Sequence, residues 1–294
     1  MFDIKYASVY FYHKFMKIKV WGCRGSIAAP GPDTLRYGGN TTCVEVISNS
    51  GTEIVIDAGS GARNLGKELL KKETKTIYLL LTHAHWDHLL GFPFFEPAYS
   101  ADFTIYLCGG PKARDSIKDY FYHQMQAPYF PIEMELLHAT FEFGFENAHG
   151  NSIENIQVDS IQLSHPNGGY GFKLTENGKS FVFLTDNELG HPHDSSLRFE
   201  DYVNFCKDAD LLFHDAQFTD EEYIERKGWG HSCYKDAFNL AVKAGVKRLG
   251  FFHHDPDRSD DELDRIVKDY VEKAKSISPG MSVFAVAEGM EFDV

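Results

Sequence analysis

The stretch His83-Ala84-His85-Trp86-Asp87-His88 brings three imidazoles and one carboxylate into a single short segment. The residues before it, Thr76-Ile77-Tyr78-Leu79-Leu80-Leu81, form an apolar run that predicts a buried strand. Gly91 and Pro93 follow, so the polar segment lies where a strand passes into a loop. Imidazole and carboxylate are ligands of zinc, manganese and iron. The stretch therefore predicts a metal-binding loop at the end of a strand.

The spacing within this stretch indicates more than one ion. His83 and His85 alternate, so an extended segment projects both side chains to the same side. Asp87 and His88 are adjacent and point elsewhere, which leaves them for a second ion.

The composition bounds the class of protein. The chain has 294 residues, 43% hydrophobic and 24% charged, as in ordinary globular proteins. A net charge of −14 argues against broad binding to nucleic acid or to anionic membranes, which favours a basic face. No repeat or linker divides the chain, so residues 17–294 are predicted to form one domain. Residues 1–16 are interpreted as an N-terminal extension outside the core.

The cysteines and the hydropathy pattern predict the compartment. The five cysteines are scattered and lack the spacing of a zinc knuckle or a disulfide framework. A reducing, cytoplasmic location is the simplest interpretation. No apolar run approaches the roughly 20 residues that span a bilayer, so no membrane association is expected.

Strands and helices alternate along most of the chain, which predicts an α/β sandwich. Several predicted strands end on a polar side chain, and such strand ends are where sites form in open sheets. These strand-end residues are Asp57, His83, His165, Asp186, the pair His214-Asp215, and His253.

In these residues the chain resembles the metallo-β-lactamase fold superfamily. The H-x-H-x-D-H pattern of His83–His88 matches its signature, and His165, Asp186 and His253 match its later ligands. The resemblance implies a four-layer αββα sandwich. His254 competes with His253 for the final position; His253 is preferred because it ends the apolar run first.

Two shorter motifs narrow the resemblance. Leu211–Ala216 and Gly230-His231-Ser232 resemble segments of the ribonuclease Z-like and cyclic-nucleotide phosphodiesterase-like branch. Gly38–Thr42 is similar to a stretch of that branch near the substrate. Only 21 positions separate His165 from Asp186, and a predicted hairpin fills them. The long basic arm with which ribonuclease Z clamps tRNA is therefore missing at that place.

The resemblance implies a site with two divalent metal ions, zinc or manganese. His83, His85 and His165 would hold the first ion; Asp87, His88 and His253 would hold the second; Asp186 would bridge them. Further residues are assigned roles by the same resemblance. Asp87 also orients the nucleophile, and His231 protonates the leaving group or is only a surface histidine. Asp215 holds His231 or is only a turn residue, Asp57 braces the ligands or only ends a strand, and Asn40 contacts substrate.

The predicted function is a binuclear metal-dependent phosphodiesterase that attacks a small phosphodiester with a metal-bridging hydroxide. A cyclic nucleotide is the best single substrate prediction. The alternatives are an RNA-processing nuclease of the ribonuclease Z type, a carboxyl-ester or thioester hydrolase, and a non-enzymatic module of the same fold. Extended nucleic acid is not an expected partner. The aromatic loop Gln126–Phe130 is compatible with base stacking, core packing or a homodimer contact.

Overall fold

Two β-sheets pack face to face, and helices cover the outer face of each. This arrangement is seen in a computed structural model, which describes residues 15–110, 114–144, 152–194 and 196–294. The predicted four-layer αββα sandwich is confirmed.

The first sheet has the strand order β14-β1-β2-β3-β4-β5-β6. Strands β3 to β6 run parallel, whereas β14, β1, β2 and β3 pair antiparallel. Numbered in chain order, its strands are β1 (Lys17–Gly22), β2 (Cys43–Ile47), β3 (Glu53–Ile56), β4 (Thr76–Leu80), β5 (Thr104–Cys108), β6 (Thr140–Phe143) and β14 (Glu291–Asp293).

The second sheet has the strand order β13-β12-β11-β10-β9-β8-β7. Strands β10 to β13 run parallel, and β7 to β10 pair antiparallel. Its strands are β7 (Ser152–Ile153), β8 (Ile156–Gln162), β9 (Tyr170–Glu176), β10 (Lys179–Leu184), β11 (Leu211–Asp215), β12 (Arg248–Phe252) and β13 (Ser282–Ala285).

Helices cover the outer faces, and short 3-10 turns interrupt the loops. The helices are α1 (Ala62–Leu69), α2 (Trp86–Leu89), α3 (Arg114–Met125), α4 (Phe199–Phe205), α5 (Asp220–Arg226), α6 (Tyr234–Ala244) and α7 (Asp260–Ile277). The 3-10 turns are Pro32–Thr34, Phe92–Phe94, Glu96–Tyr99 and Met134–Leu136.

Strand β4 shows why its sequence is continuously apolar. Ile77 and Leu79 pack into the core between the first sheet and its helices. Tyr78 and Leu80 point the other way, into the core between the sheets. A strand buried on both faces does not alternate with polar residues, and this strand delivers the chain to His83.

The hairpin predicted between His165 and Asp186 is formed by β9 and β10, with its turn at Asn177-Gly178. Both residues have positive φ, 52° and 75°, as a two-residue hairpin turn of the primed type requires. This hairpin fills the interval between His165 and Asp186, as the sequence predicted.

The elements that the sequence did not predict are short or weakly patterned. Strand β6 is a half-exposed edge strand, β7 and β14 have two and three residues, and α5 buries none of its side chains. Their periodicity is too weak to recognise from sequence.

The beginning of the core lies close to the predicted boundary. Met16 is buried, and its backbone exchanges two hydrogen bonds with Val294. Residues 1–14 lie outside the described residues, so the predicted extension at 1–16 stays a prediction. Within the described ranges, no helix is both long and apolar enough to cross a membrane.

Strand direction places the site. The carboxyl ends of the parallel strands β3 and β4 in one sheet, and β10, β11 and β12 in the other, meet at the same end of the sandwich. The strand-end residues predicted from sequence follow these strands, except His165, which follows β8, a strand that runs in the same direction as β10.

Candidate metal centre

Four of the predicted ligands form a first group at this end of the sandwich: His83, His85, His165 and Asp186 each offer an atom within 4.8 Å of the others. Nδ1 of His85 lies 3.1 Å from Nε2 of His165. Nε2 of His83 and Nε2 of His165 each lie 3.7 Å from Oδ2 of Asp186. His85 is half-buried and the other three are buried.

A second group consists of Asp87, His88, His253 and the same Asp186. Nε2 of His88 and Nε2 of His253 each lie 3.2 Å from Oδ1 of Asp186. They lie 3.2 Å and 3.0 Å from Oδ2 of Asp87. Asp186 therefore turns one carboxylate oxygen to each group.

The chain reaches these positions through strained backbone. Asp57, Asp186 and His253, each directly after or near the end of a strand, have φ of 60°, 50° and 59°. Left-handed conformations are uncommon for residues other than glycine and cluster at functional sites. The bend comes just after each strand and turns these side chains toward His88 and Asp87.

Hydrogen bonds outside the two groups fix the orientation of three imidazoles. Nδ1 of His88 lies 2.8 Å from Oδ2 of Asp57, and Nδ1 of His165 lies 2.9 Å from the carbonyl oxygen of Gly230. Both partners only accept, so each Nδ1 donates and each Nε2 carries its lone pair toward the cluster.

His83 is oriented through Thr82. The Thr82 hydroxyl donates to Asp57, at 2.8 Å from Oδ2, and Nδ1 of His83 lies 3.1 Å from that hydroxyl oxygen. The hydroxyl proton is already committed, so Nδ1 of His83 is the donor and its Nε2 lone pair also faces inward.

These residues fit divalent ions. Among the described residues, Nε2 of His83 and Nε2 of His88 are buried without a hydrogen-bond partner. Inward lone pairs beside two carboxylates repel one another unless a cation lies between them. The carboxylates also favour positive charge at this place. Burial acts to lower the pKa of His88, but Asp87, Asp186 and Asp57 raise it well above its usual value.

Asp87 receives support that the sequence did not reveal. The backbone N–H of Ser26 donates to its Oδ2 at 2.8 Å. Burial acts to raise the pKa of Asp87, but His88 and His253 outweigh burial and hold it below its usual range. Asp87 is therefore an anion held between two histidines and a backbone donor.

His231 and Asp215 lie beside the second group. Nδ1 of His231 is 3.0 Å from Oδ2 of Asp215. The His231 ring stacks on that of His253, with centroids 4.9 Å apart and an interplanar angle of 18°. Burial acts to lower the pKa of His231, but Asp215 prevails and the pKa rises to about 9. Asp215, His231 and His253 also form a third set of converging donor atoms.

The structure separates His253 from His254. His253 belongs to the second group, whereas Nε2 of His254 donates to the carbonyl oxygen of Val286 at 2.8 Å.

Asn40 is engaged elsewhere: its side-chain N–H donates to Glu288 at 2.9 Å and its side-chain oxygen accepts from Ser60 at 3.0 Å. Its predicted contact with substrate stays a prediction.

A buried carboxylate, Glu188, was not predicted from the sequence. It accepts hydrogen bonds from the N–H groups of Gly228 and Gly230, from the Tyr223 hydroxyl and from His193. Burial acts to raise its pKa, but these hydrogen bonds lower it.

A cleft of about 1180 Å³ opens beside the first group. The residues that line it include His83, His85, His165, Tyr120 and His193. Two histidines within the described ranges lie away from the site. His123 and His138 bond Gln126 and the Tyr99 carbonyl on the surface, and His149 lies outside the described residues.

Comparison with known proteins defines the class. Residues 52–254 match the beta-lactamase superfamily domain, so the chain belongs to this family. It is a hydrolase of the metallo-β-lactamase fold, a fold that implies divalent metal ions.

Relatives of the chain carry several names. It is 26% identical over 252 residues to a ribonuclease Z from Sulfurisphaera tokodaii, covering 76% of this chain and 85% of that protein. The metallo-beta-lactamase fold protein YhfI from Bacillus subtilis superposes with a TM-score of 0.66 at 17% identity, covering 96% of this chain and 100% of YhfI. A diphosphatase from the PhnP family gives 0.62 at 17% identity, with 95% and 98% covered. The two structural likenesses concern the fold.

Proposed function

We propose that this protein is a two-metal phosphodiesterase acting on a small phosphodiester. The observation that carries the proposal is the position of Asp186, whose Oδ1 faces His88 and His253 while its Oδ2 faces His83 and His165. A carboxylate shared in this way would hold two ions close enough to act on one phosphoryl group.

The two groups of side chains support a proposed ligand set for each ion. His83, His85 and His165 would hold one ion, and Asp87, His88 and His253 the other, with Asp186 between them. Nitrogen and oxygen donors of this kind suit zinc or manganese. Bound ions would supply Lewis acidity toward the phosphoryl oxygens and would activate a water molecule.

The protein's own residues handle the nucleophile and the leaving group. Asp87, fixed through Oδ2 by the Ser26 N–H, would orient the attacking water with its other oxygen. His231, held cationic by Asp215, would give its proton to the departing alkoxide. Asp57 would act through His88, whose Nδ1 it holds.

Two features of the chain, its net charge and the short hairpin between His165 and Asp186, support a small substrate. The chain carries a net charge of −14, and a short hairpin fills the interval between His165 and Asp186. A phosphodiester with one negative charge meets less repulsion there than a polyanion. A cyclic nucleotide, with its single charge and its compact shape, is the substrate that we propose first.

An RNA-processing nuclease is the second candidate. The ribonuclease Z name of the Sulfurisphaera tokodaii relative favours it. This candidate requires many phosphate contacts, so its activity would fall steeply as salt rises.

A substrate panel tests the proposal. Zinc- or manganese-loaded protein is assayed on bis-(p-nitrophenyl) phosphate and on p-nitrophenyl acetate, with metal-free protein as the control. We expect the phosphodiester to be hydrolysed with the higher kcat/KM; the reverse order would indicate a carboxyl-ester or thioester hydrolase. Cyclic nucleotides, 2′,3′-cyclic phosphates and a precursor tRNA, each at two salt concentrations, then separate the two phosphodiesterase candidates.

A further inference from the structure

We infer that Glu188 is a positioning residue that fixes the conformation of the loop Gly228–His231. Through this loop it positions two histidines, the predicted ligand His165 and the predicted acid His231. Glu188 is 1% exposed and lies two residues after Asp186, in the segment that follows β10. The inference extends the proposed function, and only its kinetic test depends on that function.

Four donors converge on the Glu188 carboxylate. Oε1 accepts from the Tyr223 hydroxyl at 2.6 Å and from the Gly228 N–H at 2.7 Å. Oε2 accepts from the Gly230 N–H at 2.8 Å and from Nε2 of His193 at 2.8 Å. An ionised carboxylate can accept at both oxygens, whereas an amide of the same shape offers one acceptor and two donors. The site is therefore built for a carboxylate.

The loop passes the constraint to His165 through one peptide. The Gly230 N–H is bonded to Glu188, and the Gly230 carbonyl oxygen accepts from Nδ1 of His165 at 2.9 Å. Gly230 has a φ of 96°, and a Cβ there would lie 2.1 Å from Nδ1 of His165. The loop thus presses directly against this imidazole, so a shift of the loop moves the ring or breaks the bond.

The next residue of the same loop is His231. Its Nδ1 must lie within reach of Oδ2 of Asp215, 3.0 Å away, while its ring stacks on that of His253. Fixing the two N–H groups that precede it limits where His231 can go. Glu188 therefore acts on a predicted ligand and on the predicted acid through one short segment.

His193 connects the arrangement to the cleft. It donates to Glu188 and at the same time lines the cleft that leads to His83, His85 and His165. Glu188 is therefore hydrogen-bonded both to a residue that lines the cleft and to the loop that carries His231.

The test compares E188Q and E188D with E176Q. E188Q removes the charge, whereas E188D keeps the charge and shortens the side chain by one methylene. The two variants therefore distinguish the effect of the charge from the effect of side-chain length. Glu176 is a matched control because it is also buried and also accepts from a backbone N–H, that of Asn49. Two quantities are measured: the Kd for zinc by competition with a chromogenic chelator, and kcat and KM for bis-(p-nitrophenyl) phosphate at saturating zinc.

Both Glu188 variants are expected to bind zinc about 10-fold more weakly, because the Gly230 carbonyl that holds His165 loses its anchor, and disturbing such an outer partner of a ligating histidine weakens metal binding. Their kcat at saturating zinc is expected to fall about 10-fold, with KM changed less than 3-fold, whereas E176Q should match wild type. Unchanged zinc affinity and kcat in both variants would overturn the inference. Equal losses in E176Q, or loss in E188Q with wild-type values in E188D, would overturn it as well.

Two further results distinguish failure of this inference from misfolding of the variants and from failure of the proposed function. If neither Glu188 variant folds, Y223F, which removes one donor and keeps the carboxylate, decides: a loss of about 3-fold in zinc affinity supports the positioning role, and no loss overturns it. If wild-type protein hydrolyses no phosphodiester, the proposed function fails, and the zinc affinities still decide the role of Glu188.

Discussion

His231 donates from Nδ1 to Oδ2 of Asp215, 3.0 Å away, and this contact joins two residues that lie 16 positions apart in the chain. Asp215 ends β11, and its Oδ2 also receives the N–H groups of Asn187 and Ser232, each at 3.3 Å. The carboxylate is held by the fold, and it holds the imidazole in turn. Nε2 of His231 is then the atom that we propose to carry the proton for the leaving group.

Replacing His231 with alanine should lower kcat for a phosphodiester by about 10²- to 10⁴-fold, the usual contribution of a positioned general acid. Zinc content by elemental analysis should stay at the wild-type level, because the proposed ligand sets do not include His231. His138→Ala, which removes an exposed histidine, is the control. Loss of zinc from His231→Ala would instead make it a ligand.

Asp215→Asn should shift the pH profile of kcat. Burial alone lowers the pKa of His231, and the Asp215 carboxylate reverses this and raises it to about 9. The acid works only when protonated, so kcat falls as pH rises through this pKa. Without the carboxylate the pKa drops, and the alkaline limb should move to lower pH by at least about one unit. An alkaline limb at the same pH in both proteins would exclude His231 as its source.

The sequence predicted the fold because strands and helices depend on local patterns, and the residues that the resemblance implied as ligands lie together in the structure. Apolar runs ending in a polar residue mark strands whose last side chain enters a site, as Thr76–Leu81 does before His83. The short elements were missed because β14, with three residues, acquires its pairing only from distant β1. No local pattern encodes such a partner.

Most of the residues that orient the proposed ligands could not be predicted from the sequence. The Ser26 N–H and the Gly230 carbonyl act through the backbone, so their residue types carry no signal. Three of the four donors to Glu188, from Tyr223, Gly228 and Gly230, lie at least 35 positions away. Thr82 is the exception in principle, since it adjoins His83 and a hydroxyl beside a ligand is a visible feature.

Asp57→Asn should weaken zinc binding by about 10- to 100-fold, since it removes the carboxylate that accepts from Nδ1 of His88 at 2.8 Å. Asparagine tolerates the φ of 60° at this position, so the backbone should be kept. Chelator competition measures the affinity, with Asp159→Asn on β8 as the control. Wild-type affinity in Asp57→Asn would show that Asp57 only ends its strand.

Glu53→Gln should flatten the pH dependence of stability. Burial raises the pKa of Glu53 to about 7, with Lys72 opposing the shift and Glu45 adding to it. Its pKa in the unfolded chain is near 4.3. The folded protein thus holds the proton more tightly, and the free energy of unfolding falls as pH rises from about 4.5 to 7.

The comparison is urea unfolding of wild type and Glu53→Gln at pH 5 and pH 8. The variant should lose less stability between the two pH values than wild type does. The exposed Glu68, paired with Lys71, supplies the control Glu68→Gln, whose stability should follow wild type. Equal losses in wild type and Glu53→Gln would contradict the raised pKa.

The most direct test of the two-metal phosphodiesterase is to add zinc in steps to metal-free protein and follow the hydrolysis of bis-(p-nitrophenyl) phosphate. Asp186→Ala, which removes the carboxylate facing both groups, is run beside it. We expect activity to rise to a plateau at two equivalents of zinc per chain in wild type and to be absent, with zinc lost, in Asp186→Ala. A plateau at one equivalent, or full zinc content and activity in Asp186→Ala, would contradict the account.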